Sequence, residues 1–218
     1  MKQRRKKIWT PNDYNTFRSR PFVETIRIDK GIPQNLYFHQ ARLTNTFHHF
    51  FPGKTPFSIE KVISVPPEFT AGTVKLRFLY DQSGHEQQYS PYVRREVNSL
   101  QIVVANDISY AFKTTNRVAL SALLEKRGIY DDILIVKNGF ITDTFAANIV
   151  FSDGKNLFTP ANPLLRGTHR ERLLKSGIIT AIDITIEDLQ RFTHFGLINA
   201  MTKELRVEQP VENIHSRF

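Results

Sequence analysis

The 218-residue sequence contains no cysteine. That excludes disulfides, thiolate catalysis and every zinc site built with sulfur. No apolar run approaches the roughly 18 residues that a membrane helix needs. The basic N-terminus leads into no apolar stretch of the kind a secretory signal carries, so a cytoplasmic protein is expected. Three common signatures are also missing: Gly-x-Ser-x-Gly, Gly-x-x-x-x-Gly-Lys and Gly-x-Gly-x-x-Gly. The seven histidines, His39, His48, His49, His85, His169, His194 and His215, include no His-x-x-x-His pair, and no metal site is expected. No internal repeat is present.

What is there is a folding composition. Hydrophobic residues make up 40% and aromatics 11%, with 17 phenylalanines, which is too apolar for a disordered chain. Thirty Lys and Arg stand against 21 Asp and Glu, a net charge of +9. Five of the first seven residues are basic: Lys2, Arg4, Arg5, Lys6 and Lys7. Such a run is a nucleic-acid patch or a solvated terminus. The solvated terminus is the expectation, because the aromatics mostly alternate like strand residues and show no base-stacking pattern. The remaining positive excess suits an anionic small substrate or a phosphorylated cofactor.

Periodicity gives the organisation. Phe22 to Asp29 and Thr73 to Tyr80 alternate as strands do. Leu36-Tyr-Phe38 reads as a short partner strand after the Lys30-Gly31 turn. Leu43, Phe47 and Phe50 have helical spacing, and Pro52-Gly53 ends that helix. The stretch from Ser90 to Asn98 is polar and aperiodic and is taken as a boundary. Beyond it come a strand at Leu100 to Ala105, a helix over 116–126 and strands near 132–137, 140–143, 149–152 and 157–159. Asn138-Gly139 and Asp153-Gly154 mark hairpins. A short helix opens at Thr168, and further strands fall at 178–186 and 196–200. The class is α+β, with a basic N-terminal extension over 1–21 and two subdomains over 22–93 and 94–218.

Four features carry chemistry. Gly167-Thr168 opens a helix behind the Thr159-Pro160 turn, and a helix start with a glycine favours an anion. Alone it is also an ordinary N-cap. Lys113 follows the apolar stretch Tyr110 to Phe112. A lysine in such surroundings forms imines with carbonyls; alone it is also a surface lysine beginning a helix. Asp143 follows a short strand and precedes Ala146-Ala147-Asn148. Arg42 sits on the helix after the first strand, and arginine binds phosphate bidentately.

The order of these features is specific. Glu24-Thr-Ile-Arg, His39-x-x-Arg-Leu and Lys113-x-x-Asn-Arg are followed by Gly139-x-Ile-Thr-Asp and Ala147-Asn-Ile-Val-Phe. Phe158-Thr-Pro, Leu164-Leu-x-Gly-Thr-x-Arg and Ile198-Asn-Ala-Met complete the series. The chain resembles the class IV, or fold type IV, pyridoxal-phosphate enzymes. That family includes branched-chain and D-amino-acid aminotransferases and 4-amino-4-deoxychorismate lyase. The resemblance spans about Phe22 to Met201 and is most specific from Asp131 to Arg170.

The resemblance implies a small N-terminal α/β sandwich, a C-terminal β-barrel-like α+β domain, and a homodimer. It implies pyridoxal 5'-phosphate (PLP) attached covalently to Lys113, which then serves as the catalytic base. Arg42, Gly167 and Thr168 would hold the phosphate. Asp143 stands where the family normally has a Glu at the pyridine nitrogen. Asn148 and Thr159 would be further cofactor contacts, and Tyr80 a substrate contact. The Lys-x-x-Asn-Arg context is closer to the lyase branch. The activity it implies is conversion of aminodeoxychorismate to 4-aminobenzoate, a folate precursor, and pyruvate. A class IV aminotransferase and a non-catalytic binding protein of the same fold are the alternatives.

Overall fold

The computed structural model describes residues 21–216. The basic run at Lys2 to Lys7 lies outside the described residues. Two sheets carry the described part, with helices packed on them, as expected of an α+β chain.

The first sheet comes from residues 22–91. Strand β1 (Phe22–Asp29) turns through Lys30 and Gly31, whose φ angles are 48° and 79°, into β2 (Ile32–Pro33). Helices α1 (Leu36–Phe50) and α2 (Ile59–Val62) follow, then β3 (Thr73–Tyr80) and β4 (His85–Pro91). The order is β2-β1-β3-β4. β1 pairs with β3 along its whole length, from Phe22 opposite Tyr80 to Asp29 opposite Thr73. Alternation therefore puts Phe22, Ile26 and Ile28 on one face with Val74, Leu76, Phe78 and Tyr80. There they pack with Leu43 and Phe47 of α1 in a single buried cluster.

The expected strand at Leu36 to Phe38 is instead the first turn of α1. Ile32–Pro33 takes the pairing with β1. Asn35, in the left-handed region at φ 57°, redirects the chain, and Leu36 packs on the core as a helical residue. Three aromatic and aliphatic residues were too short a window to separate strand from helix.

The second sheet holds nine strands. In chain order these are β5 (Leu100–Val104), β6 (Asp132–Lys137), β7 (Phe140–Thr144), β8 (Asn148–Ser152), β9 (Leu157–Pro160), β10 (Thr180–Ile182), β11 (His194–Ile198), β12 (Gln209–Pro210) and β13 (Ile214–His215). Helix α3 (Val118–Leu124) precedes β6, and α4 (Thr168–Lys175) lies between β9 and β10. The Asn138-Gly139 turn has both residues at positive φ, 52° and 84°, as a two-residue hairpin requires. Strand β8 is central to the site. β11 pairs with all five of its residues, Asn148 to Ser152. On its other edge, β7 is paired at Asn148 and β9 at Phe151 and Ser152.

The two sheets are joined by backbone. Thr114 forms a bridge with Phe22. Val23 N donates to Lys113 O at 3.0 Å, and Thr115 N donates to Pro21 O at 2.8 Å. The residues around Lys113 thus extend the first sheet at the start of β1. Among the described residues no helix is long and apolar enough to cross a membrane. Nor do three or more His, Asp or Glu stand together there as metal ligands would.

Candidate active site

A cavity of about 830 Å³ opens between the sheets. Thr25, Thr73 and Lys75 line it from the first sheet, and the turn after Asp143 and the start of α4 line it from the second. Lys113, on the segment that joins them, also faces it. Eight Lys or Arg side chains and five Asp or Glu side chains contribute to the wall, so the interior attracts anions.

Lys113 is fixed through its carbonyl by β1. Its side chain is half-buried, and among the described residues its Nζ has no hydrogen-bond partner. Burial, with the charges of Arg42, Arg117 and Arg77 adding to it, lowers its pKa to about 7; Glu24 works the other way. A useful fraction of the amine is therefore neutral near pH 7 and nucleophilic. Arg117, four residues on, ties this segment to the opposite wall. Its guanidinium lies 4.3 Å from the Phe145 ring centroid, donates to Phe145 O, and donates to Tyr110 Oη at 3.2 Å.

Asp143 is buried at the end of β7 and lines the same cavity. Asn148 Nδ2 donates to its Oδ1 at 2.7 Å, and Leu165 N donates to its Oδ2 at 2.8 Å. Burial pushes its carboxyl up to about 7, against those hydrogen bonds and the charge of Arg170. Asn148 Nδ2 also donates to Leu165 O at 2.9 Å. Its amide oxygen sits where a Gly167 side chain would begin: a Cβ on Gly167 would lie 2.0 Å from Asn148 Oδ1. Glycine is needed here for space, since its φ of −68° is ordinary. Gly167 caps α4, Thr168 is its first residue, and the first-turn N–H groups have no acceptor within the helix.

Arg42 reaches the cavity from α1. Its Nε donates to Glu24 Oε1 at 2.8 Å, and a terminal nitrogen donates to Glu24 Oε2. Its other terminal nitrogen donates to Arg166 O at 3.3 Å, next to Gly167. Glu24 is fully buried, and it also takes His39 Nδ1 at 2.6 Å. Burial alone would raise the Glu24 pKa, but Arg42 and His39 outweigh it and hold the carboxyl at about 2.

Six of the eight residues proposed from the sequence therefore line one cavity: Arg42, Lys113, Asp143, Asn148, Gly167 and Thr168. Two do not. Thr159 is fully buried, and its hydroxyl donates to Ile149 O at 2.8 Å, closing the gap between β9 and β8. Tyr80 is also buried, on the α1 face of β3, stacked on Phe47 with centroids 6.0 Å apart. Its parity with Phe78 and Leu76 already marked it as core. Conversely, the sequence reading gave no role to Glu24, His39 or Arg117. Glu24 had a signal: it is an acid on the apolar face of an alternating strand, where a charge must be paired. Arg117 stood in the Lys113-x-x-Asn-Arg series, but its bond to Phe145 O, 28 residues on, had no local signal.

A model of the amino-transferase class IV family matches residues 67–209, well over half of the chain. The chain belongs to that family. It is 35% identical over 184 residues to an uncharacterized protein of Haemophilus influenzae, covering 83% of this chain and 97% of that one. A crystal structure of a candidate 4-amino-4-deoxychorismate lyase from Haemophilus somnus matches with a TM-score of 0.80 and 31% identity, over 84% of this chain and 97% of the other. A hypothetical aminotransferase from Mycobacterium tuberculosis in a PLP-bound form matches in fold, with a TM-score of 0.68 and 19% identity over 94% and 86% of the two chains. The cofactor is PLP. The donor set fits it: an amine with no hydrogen-bond partner among the described residues, an arginine and a helix start for the phosphate, and a buried carboxyl lining the same cavity.

Proposed function

We propose that this chain is a PLP-dependent lyase that converts aminodeoxychorismate to 4-aminobenzoate and pyruvate. The observation that carries the enzyme reading is Lys113, an amine with its pKa lowered to about 7, lining the same basic cavity as Asp143. The lyase branch is supported by the Lys113-Thr-Thr-Asn-Arg117 context and by the 31% identity to the Haemophilus somnus protein.

Bound PLP supplies an aldehyde for the substrate amine and a ring that withdraws electrons from the carbon bearing it. Arg42 and the N–H groups of Gly167 and Thr168 at the start of α4 would hold the phosphate. Asp143, oriented by Asn148 and Leu165, would hold a proton at the pyridine nitrogen. Lys113 Nζ would remove the proton from the amine-bearing carbon; a pKa of about 7 suits a base working near neutral pH. Lys75, Arg94 and Arg95 line the cavity and would attract the carboxylates of a substrate. The division at residue 94, with residues 22–93 and 94–218 as the two halves, belongs to the same proposal, as does a homodimer.

The test is the product. The purified chain loaded with PLP is given aminodeoxychorismate and, separately, branched-chain L-amino acids and D-amino acids with an acceptor keto acid. Equal amounts of 4-aminobenzoate and pyruvate support the lyase. Keto acid from an amino acid with no 4-aminobenzoate identifies an aminotransferase instead, and turnover of neither refutes the enzyme reading for these substrates.

A further inference from the structure

Behind the phosphate site lies a buried chain of three polar groups. His39, on α1, is 1% exposed and does not line the cavity. Its Nδ1 is 2.6 Å from Glu24 Oε2. Its Nε2 is 3.4 Å from Thr168 Oγ1, a long hydrogen bond that crosses from the first half of the chain to α4. Glu24 in turn grips Arg42 through both carboxylate oxygens. Arg42 and Thr168, both of which line the cavity, are thus joined through Glu24 and His39.

We propose that Glu24, His39 and Thr168 form a proton-coupled relay, in which an oxyanion bound at Thr168 draws a proton onto His39. This rests on the reading that the cofactor phosphate sits at Arg42, Gly167 and Thr168. His39 is a positioning residue: it acts through the hydroxyl of Thr168.

The argument is one of donors and acceptors. Ionised Glu24 only accepts, so Nδ1 of His39 must carry a hydrogen. While the ring is neutral, Nε2 is bare. The hydrogen bond to Thr168 then requires the threonine hydroxyl to donate, and the oxygen is left to show lone pairs to the cavity. A phosphate oxygen would be repelled by them. A proton taken from solvent onto Nε2 reverses the bond. Nε2–H donates to Thr168 Oγ1, and the threonine hydrogen is released to point at the anion.

The charges around His39 make this a balanced switch. Glu24 faces it from β1 and favours the cation. Arg42, one turn along its own helix, and Lys113, on the segment joining the sheets, disfavour it. Thr168 is its neutral contact from α4. Burial holds the ring pKa below its ordinary value, which favours the neutral form. An arriving dianion adds negative charge on the Thr168 side and tips the balance.

The experiment uses protein labelled with 15N-histidine and reads the ring nitrogen shifts, with the His39→Gln spectrum giving the assignment. Sulfate is the first probe, because it carries no titrating proton near neutral pH; PLP and pyridoxal follow. The expected result is a neutral ring with bare Nε2 in the free protein and with pyridoxal, and a doubly protonated ring with sulfate or PLP. Thr168→Val keeps the helix start and removes the hydroxyl. Its ring should stay neutral with PLP bound, and its preference for PLP over pyridoxal should fall about tenfold, the scale of one hydrogen bond to a charged group. His39→Gln should show the same loss of preference. A wild-type protein that prefers PLP over pyridoxal while His39 stays neutral would overturn the relay alone. A protein with no such preference would overturn the phosphate assignment, and the relay with it.

Discussion

Gly167→Ala is the sharpest structural perturbation of the site. The new Cβ would start 2.0 Å from Asn148 Oδ1, which must retreat by about 1 Å before reaching even 3.0 Å. Asn148 cannot retreat freely. Its amide nitrogen is buried and donates to the Asp143 carboxyl at 2.7 Å and to Leu165 O at 2.9 Å. A hydrogen bond to a charged group contributes about 1.5–3 kcal/mol and a neutral one about 0.5–1.5 kcal/mol. Losing both while the groups stay buried puts the cost at about 2–4 kcal/mol. Urea unfolding of the cofactor-free protein measures it directly. The cause is isolated by a double-mutant cycle. In an Asn148→Ala background the obstruction is gone, and Gly167→Ala should then cost under about 1 kcal/mol. Equal costs in the two backgrounds would refute the collision as the reason this position is glycine.

Three further outcomes follow from the charges. Asp143→Ala should slow loss of the substrate's reactive proton by about two orders of magnitude, the scale of removing one preorganised charged group, and weaken PLP binding far less. Single turnovers with that proton replaced by deuterium report it, and an unchanged rate would remove Asp143 from the chemistry. Glu24 is lowered from 4.5 to about 2, so its stabilisation is fully present above pH 4.5 and is lost as pH falls towards 2. Wild type should lose about 3 kcal/mol relative to Glu24→Gln over that window, and parallel unfolding curves for the two proteins would contradict the pairing. Only a neutral amine captures an aldehyde. With Lys113 at about 7, the rate of PLP capture should rise about tenfold per pH unit below 7 and level off above about pH 8. A rate still climbing through pH 9 in stopped-flow absorbance would place the amine at its ordinary pKa.

Much of this architecture was legible because it is local. The alternation in Phe22 to Asp29 and Thr73 to Tyr80 fixed both strands and the face that meets α1, and Asn138-Gly139 announced its hairpin. The second, polar strand of the Thr73–Pro91 hairpin was only half visible: β4 has no fully buried residue, so it carries no apolar stripe. A Thr-Pro turn looks the same in sequence whether its hydroxyl faces a ligand or, as at Thr159, bonds to the neighbouring strand. The convergence of the site was beyond any local pattern. Lys113 is set by the hydrogen bond its carbonyl accepts from Val23 N, and Arg42 by Glu24 and Arg166. Those pairings are tertiary, and only the order of motifs along the chain hinted at them.

The central claim is that the cavity around Lys113 is the PLP site, and covalent capture tests it most directly. PLP is added to the purified protein, the product is reduced with borohydride, and the digested chain is mapped by mass spectrometry. The expected result is a visible absorption band lost on reduction and a single pyridoxyl group on Lys113, with neither band nor label in Lys113→Ala. A label on another lysine, or an unchanged band in Lys113→Ala, would contradict the account.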